Sequence, residues 1–550
     1  MTRKLLSVVL IVSLVVIMIA ACTSGNNGNN AGNGGDRQTT NASGNTGGEG
    51  GNDLTSADDT SKYGDTGGLK LPLVDKPTTI TWMLVSENPA NDKMIVKEIE
   101  KRTGIKVDLQ TYSATTYQEK LRVTITSGKL PDIFHGLRPA ELKKLGQQNA
   151  VVAINKYADM LPNFRRLYME ENPWVIASYG DESGNIYTWP IYNMNRDVNH
   201  GFLYRKDIFD KHNIKPWTNT EEFYEALKKL KEIYPNSYPY ASKTKELIFR
   251  DWAYGWGIGG AYYPAYYDED EKTWKFASVQ PEHKDMLDLM KRMYNEGLMD
   301  PEFLTDTPDS WTAKMTTNES AFVTWDWIGR LDLFYNQVKD QNPEYDLRYA
   351  YPIGPTGNVR TLPKIDANWG ITVANNKNKE AALKLLDYLT SPSGAALVTL
   401  GVEGETFYFD ENGKPVYPEL AGQPVDIKVL EDRYGLWLEG MYLAPDRRSV
   451  YYNFTEKEQE AQDMIVKANK FEPEDPVLNF TDEENERIAE LQLTLEKAAN
   501  EFNARYILEK SYGDKEWEAW VNSAEDLGIN EYISIFNAAQ KRYDAAVGKR

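Results

Sequence analysis

Between Thr79 and Phe134 the hydrophobic pattern switches repeatedly between the period of a strand and the period of a helix. Thr79-Ile80-Thr81-Trp82-Met83-Leu84-Val85 is rich in β-branched and aromatic residues, whereas Asn91 to Thr103 spaces Met94, Ile95 and Ile99 helically before Gly104 supplies a stop. Ile105 to Leu109 alternates as a strand and Thr115 to Thr126 reads as a helix. Ser127-Gly128-Lys129-Leu130-Pro131-Asp132-Ile133-Phe134 is then a turn running into a short buried strand. Such a β-α-β-α-β succession predicts an α/β fold with a mostly parallel sheet covered by helices.

At 550 residues the chain is too long for one core, so at least two packed units are expected. The unusual entry in the composition is the 12% aromatic share, which hints at flat, stackable ligands. A net charge of −20 repels nucleic-acid phosphates and anionic headgroups alike, which argues against nucleic-acid binding and requires any membrane attachment to be hydrophobic or covalent. With Cys22 the single cysteine, the chain can form neither an internal disulfide nor a cysteine-based metal site. No metal or cofactor is expected.

That cysteine is placed informatively. Arg3 and Lys4 precede an apolar run from Leu5 to Ile19 that is too short to favour a spanning helix, so 1–21 reads as a signal peptide. Ile19-Ala20-Ala21-Cys22 resembles the bacterial lipobox, in which the nucleophilic thiol accepts a lipid; stable anchoring takes about two acyl chains at roughly 0.8 kcal/mol per buried CH₂. Cys22 is therefore expected to tether the protein to the cell membrane on its extracytoplasmic side. From Thr23 to about Gly68 the chain is dominated by Gly, Asn, Ser, Thr and Asp and cannot offset the entropy of folding. We assign 22–76 to the lipidated cysteine and a disordered tether; the stretch to Gly68 would span about 40 Å root mean square as a flexible coil.

The Ser-Gly-x-Leu-Pro-Asp-Ile-Phe run resembles that of the family 1 extracellular solute-binding proteins. Gly201-Phe202-Leu203-Tyr204-Arg205-Lys206-Asp207-Ile208-Phe209 is similar to the crossing strand of that family, and Trp217 to Leu230 to its Trp-x-Thr-x-Glu-Glu-Phe helix. Tyr294 to Phe303 and Gly401 to Thr406 extend a likeness that covers essentially 77–550 and is strongest to lipoproteins of the LipO/LplA type, near the alginate-oligosaccharide and maltodextrin binders. The resemblance implies a periplasmic-binding-protein-like fold of type II, with two α/β lobes joined by a hinge and a helical C-terminal region. By analogy, lobe one takes 77–195 and 357–400, and lobe two 196–356 and 401–550. Periodicity by itself establishes only that 456–548 is strongly helical.

The same resemblance implies a lipid-anchored, monomeric binding component of an ABC importer that captures an oligosaccharide between its lobes and hands it to membrane permease subunits. Sugar rings present apolar C–H faces, so indole plates beside hydrogen-bonding side chains suit them. Trp325, Asp326 and Trp327 are the leading candidates, because Ala321 to Ile328 resembles a maltose-binding segment whose stacking tryptophan matches Trp325. Trp189, Trp256 and Trp369 are further candidate plates, and Arg138 and Glu405 candidate polar contacts.

Other motifs fall away. Gly255-Trp256-Gly257-Ile258-Gly259-Gly260 contains GxGxxG, but Ala261-Tyr262-Tyr263-Pro264 follows where a helix would have to begin, so it reads as an aromatic loop facing ligand or packing a hinge. Asp410-Glu411-Asn412-Gly413 lacks the twelve-residue calcium-loop spacing and reads as a hairpin turn. Where alginate-binding relatives carry a calcium loop, this chain has Tyr234-Pro235-Asn236-Ser237-Tyr238-Pro239. His135, His200, His212 and His283 are scattered, and HExxH and GxSxG are absent; it is the family resemblance that implies a binder and not an enzyme. A peptide or other polar solute is the alternative ligand. A surface glycan-degrading enzyme, which needs only two well-spaced carboxylates, is the alternative class.

Overall fold

The computed structural model describes residues 60–317, 320–423 and 425–548. The signal peptide, Cys22 and the tether as far as residue 59 lie outside the described residues.

Ten of the twelve strands among the described residues organise the fold: β1 (Thr78–Val85), β2 (Ile105–Tyr112), β3 (Ile133–His135), β4 (Trp189–Tyr192), β5 (His200–Arg205), β6 (Ala265–Asp268), β7 (Thr273–Phe276), β8 (Val323–Trp327), β9 (Leu347–Tyr349) and β10 (Ile365–Val373). The first sheet runs β2-β1-β3-β10-β4. In β1, Trp82, Met83 and Leu84 are all buried in succession, the signature of a strand covered on both faces. It pairs in parallel with β2 and β3, while β10 returns from far along the chain and runs antiparallel to β3 and β4. The helix between β1 and β2, Met94–Thr103, ends where Gly104 takes φ 73°, the left-handed cap that the sequence predicts. The second sheet, β8-β5-β9, is antiparallel and built around a separate core that includes Phe202, Trp217, Trp252 and Met290.

The chain passes between these two bodies from Tyr192 to His200, from Tyr349 to Ile365, and again between Val450 and Ala461. The crossings are fastened to one another. Asn193 N–H donates to Lys364 O at 2.5 Å and Asn195 Nδ2 to Pro363 O at 2.9 Å, while Arg447 Nη1 donates to the carbonyls of Asn193 and Asn195. The Gly255–Gly260 loop packs against the second crossing, with Thr356 Oγ1 donating to Gly255 O at 2.8 Å.

Two expected boundaries move. Residues 401–452 were expected in lobe two, yet Phe407, Tyr417, Leu430, Leu436, Leu438 and Val450 belong to the first core. Only the later helices, such as Asp482–Leu508 and Ile529–Val547, join the second body, against the β6–β7 hairpin. Helical periodicity says that a segment must bury one face but not against which sheet. The segment 60–76 is also docked rather than part of a tether. Ser393 N and Oγ donate to Asp65 O (2.8 Å) and Tyr63 O (2.6 Å), Asn163 Nδ2 donates to Thr66 O at 3.1 Å, and Leu73 enters the first core. Backbone carbonyls do most of this work, and composition does not register them.

A strap from 471 to 480 ties both bodies together. Glu472 N–H donates to Val359 O and its carboxylate accepts from Asn358 Nδ2; Asp475 accepts from the Ala261 and Tyr267 amides; Asn479 Nδ2 reaches Gly180 O of the first body at 2.9 Å. Removing these carboxylates from water pushes Glu472 up to about 7 and Asp475 up to about 6.

Candidate functional site

Strand β8, Val-Thr-Trp-Asp-Trp, pairs antiparallel with β5 so that His200 faces Trp327, Gly201 faces Asp326 and Phe202 faces Trp325. Because alternate residues point to opposite sides of a strand, Trp325 and Trp327 share one face and Asp326 takes the other. Both indoles are half-buried at the hinge-proximal end of the sheet. Trp325 stacks on the His200 imidazole, with centroids 5.0 Å apart and planes 18° apart. The Arg196 guanidinium, from the first crossing, lies 5.7 Å from the centre of the Trp327 ring and is ion-paired with Glu458 at 3.1 Å. Desolvation, with help from Lys243, Arg360 and Arg196, pushes His200 down to about 4, so Trp325 rests on a neutral ring at pH 7.

Asp326 is not the free hydrogen-bond acceptor that its position between two tryptophans suggests. Its buried Oδ2 binds Lys243 Nζ and Arg330 Nε, each at 2.7 Å, and both cations also lie over the Trp311 ring. The alternation that presents the indoles turns the carboxylate into a structural ion pair behind them.

The remaining candidates separate by burial. Trp189 is wholly enclosed, edge-on to Phe164 with centroids 4.8 Å apart, and Trp256 is stacked in the second core on Trp252. Both are packing residues, which corrects the expectation that they are stacking plates. Trp369 is the opposite case: of the fourteen tryptophans it alone is exposed, at 48%. A register shift in β10 between Asp366 and Ile371 turns Asn368 and Trp369 outward, as bulges do when they re-aim side chains. Gly370 permits the bulge, since a Cβ there would lie 2.1 Å from Thr188 Oγ1.

Arg138 is exposed and caps the helix Pro139–Gln147 together with Glu141, and Glu405 sits in an exposed turn near Lys101. None of their contacts reaches the tryptophan strand. Tyr234–Pro239 does not fit a calcium site: it carries no carboxylate, and Ser237 O accepts from Lys231 Nζ at 2.6 Å, so an ammonium occupies the carbonyl a metal would need.

Sequence reasoning also missed the groups at the carboxyl end of β1. In α/β sheets, ligands gather outside the carboxyl ends of the strands. At the end of β1, Val85 N–H donates to Glu439 O, and Ser86 Oγ donates to Glu431 Oε1 at 2.6 Å. Glu439 is exposed, and desolvation together with the Glu431 charge holds its pKa above the ordinary range. Tyr442 beside it is pushed up in the same way, by burial and by Glu439. Only the switch-point rule could have pointed here, and it needs to be known which later segment closes over β1.

A family model described as bacterial extracellular solute-binding protein matches residues 85–396. The chain is 22% identical over 520 residues, 87% of its length and 92% of the relative's, to the fructooligosaccharide ABC transporter substrate-binding protein FusA of Streptococcus pneumoniae. It is 23% identical over 486 residues, 85% of its length and 93% of the relative's, to the polygalacturonan/rhamnogalacturonan-binding protein YtcQ of Bacillus subtilis. Among solved structures, the alginate-binding protein AlgQ2 without calcium ion superposes with a TM-score of 0.59 at 24% identity, covering 86% of this chain and 99% of that one.

Proposed function

The chain belongs to the bacterial extracellular solute-binding protein family, and from that membership we propose that it captures an oligosaccharide between its two lobes and delivers it to the permease subunits of an ABC importer. In this reading it is a binder and not an enzyme, acts as a monomer, and is held at the outer face of the membrane by lipid on Cys22. Lobe one comprises 60–195 and 357–452, and lobe two 196–356 and 453–548.

The observation that carries the reading is the pair of half-buried indoles, Trp325 and Trp327, on one face of β8 at the chain crossings. A binding protein of this architecture works by closing its lobes around the ligand, so a stacking plate belongs beside the hinge. Glu439 and Tyr442 at the carboxyl end of β1, and the exposed Trp369, are the lobe-one groups we assign to the same ligand. The names of the relatives, which specify fructooligosaccharide and polygalacturonan, support a carbohydrate over a peptide.

A thermal-shift screen of the chain from residue 23 onward against neutral and acidic oligosaccharides tests this. Stabilisation by a glycan without release of sugar is the expected result. Stabilisation by peptides alone, or sugar release lost on one carboxylate substitution, would overturn it. For the anchor, Cys22→Ala should release the protein into the medium.

A further inference from the structure

A side chain of lobe two completes a helix of lobe one. The helix Trp174–Tyr179 buries Val175 and Ile176 in the first core, and the carbonyls at its end have no partner further along the helix. Asn479, in the strap, donates its amide to two of them, Gly180 O at 2.9 Å and Ala177 O at 3.3 Å, and its Oδ1 accepts from Lys143 Nζ at 3.2 Å. Every hydrogen bond of this side chain among the described residues therefore crosses to lobe one.

The rest of the strap travels with lobe two. Its base is pinned at the second crossing, where Val359 N–H donates to Lys470 O and Glu472 N–H to Val359 O, each at 2.9 Å. Further on, Asp475 accepts from the Ala261 and Tyr267 amides at 2.6 and 3.1 Å, and Leu478 N–H donates to the Tyr262 hydroxyl oxygen at 2.9 Å. Leu478 is buried in the C-terminal helical cluster with Tyr532 and Phe536, whereas Val477 packs on the first core. Neighbouring side chains of an extended segment point to opposite sides, and here the two sides are the two lobes.

The two attachments differ in how readily they let go. Backbone bonds and a buried leucine hold the strap to lobe two, but one amide group makes all three polar contacts to lobe one. A hydrogen bond stretched past roughly 3.5 Å is lost, so a slip of about 1 Å between the lobes would undo those contacts together. We propose that Asn479 is a releasable clasp: it holds the lobe arrangement seen here, and making or breaking it forms part of the free-energy difference between the open and closed trap. It thereby tunes ligand affinity without touching ligand. The clasp rests on lobe closure as the mode of capture.

The experiment uses the chain from residue 23 onward, which has no cysteine of its own. Nitroxide labels are placed on two pairs of exposed positions that span the lobes, Glu119→Cys with Glu225→Cys and Glu380→Cys with Asp285→Cys, and distances are read by double electron–electron resonance without added sugar. Asn479→Ala should shift the ratio of lobe arrangements about tenfold, the scale of one or two such bonds, and give a second distance in at least one pair. Lys143→Ala should act in the same direction but less, and the double variant should match Asn479→Ala alone, because Lys143 works through Asn479. Distances in both single variants superimposable on the parent's would overturn the proposal, as would additive effects of the two substitutions. A glycan that moves the parent's distances while the ligand-free variants match the parent refutes the clasp and leaves capture standing. Variants that redistribute while no glycan moves any chain support the clasp and refute capture between the lobes.

Discussion

The imidazole of His200 lies almost parallel to the indole of Trp325 across the β5–β8 pair, 5.0 Å from centroid to centroid. One face of that indole is thus backed by a second ring. The backing holds the plate in place, so truncating it should cost affinity more than fold. Trp325→Ala or Trp327→Ala should weaken oligosaccharide binding by about 1–3 kcal/mol in calorimetry. Asp326→Asn, on the reverse face, should instead lower the Tm, since it leaves Lys243 and Arg330 without their shared charge. Equal affinity in both tryptophan variants would remove β8 from the site.

His200 also sets a pH dependence. Its folded pKa, near 4, is below the ordinary value of 6.5, so the unfolded chain takes up this proton first. The stability it contributes is complete above pH 6.5 and drains away as pH falls towards 4. His200→Phe keeps a ring under Trp325 and removes the titration. The Tm of the variant should therefore fall less than that of the parent between pH 6.5 and 4.

Glu472 in the strap works in the opposite sense. Desolvation lifts it to about 7, so the folded protein retains a proton that the unfolded chain gives up near 4.5. Its stabilising contribution is whole below pH 4.5 and is lost as pH rises through 7. Glu472→Gln keeps the oxygen that accepts from Asn358 and abolishes the titration. The variant should gain on the parent progressively from pH 5 to pH 8 in denaturant melts; parallel pH profiles would refute this.

Gly370 sets the bulge that exposes Trp369. A methyl group there would be 2.1 Å from Thr188 Oγ1 and 2.6 Å from Trp189 O, and one of those neighbours is backbone. Gly370→Ala should destabilise by about 1–3 kcal/mol through overpacking and should shift the fluorescence of Trp369. Trp369→Ala, by contrast, should leave the Tm nearly unchanged.

Truncation separates the docked segment from what precedes it. A chain beginning at residue 60 should melt with one beginning at residue 23, whereas a chain beginning at residue 77 should melt lower, having lost Leu73 from the first core and the Tyr63, Asp65 and Thr66 carbonyls. Differential scanning calorimetry of the three chains decides it.

Much of the first body was legible because its signals are local. The strand run ending at Val85, the helix stopped by Gly104 and the alternation from Ile105 each act within a few residues. The tryptophans were harder. Trp189 and Trp325 both sit in short edge strands beside a crossing, but Trp189 is enclosed in the first core against Phe164 while Trp325 stays half-buried on His200, and that difference belongs to the tertiary arrangement. Asp326 was misread for a related reason: its cations come from 83 residues upstream and from the start of the helix that follows β8, and only the second is visible locally. Glu439 and Tyr442 were unreadable, since their place depends on residues 436–443 joining the first core rather than the second.

The docking of Tyr63, Asp65 and Thr66 onto Ser393 and Asn163 ties the first of the described residues to lobe one. If lipid on Cys22 anchors the chain as proposed, a tug from the membrane would reach lobe one first. On that proposal lobe one would be the stator and lobe two the rotor, and a permease would meet a stationary half and a half whose tilt reports whether the trap is full.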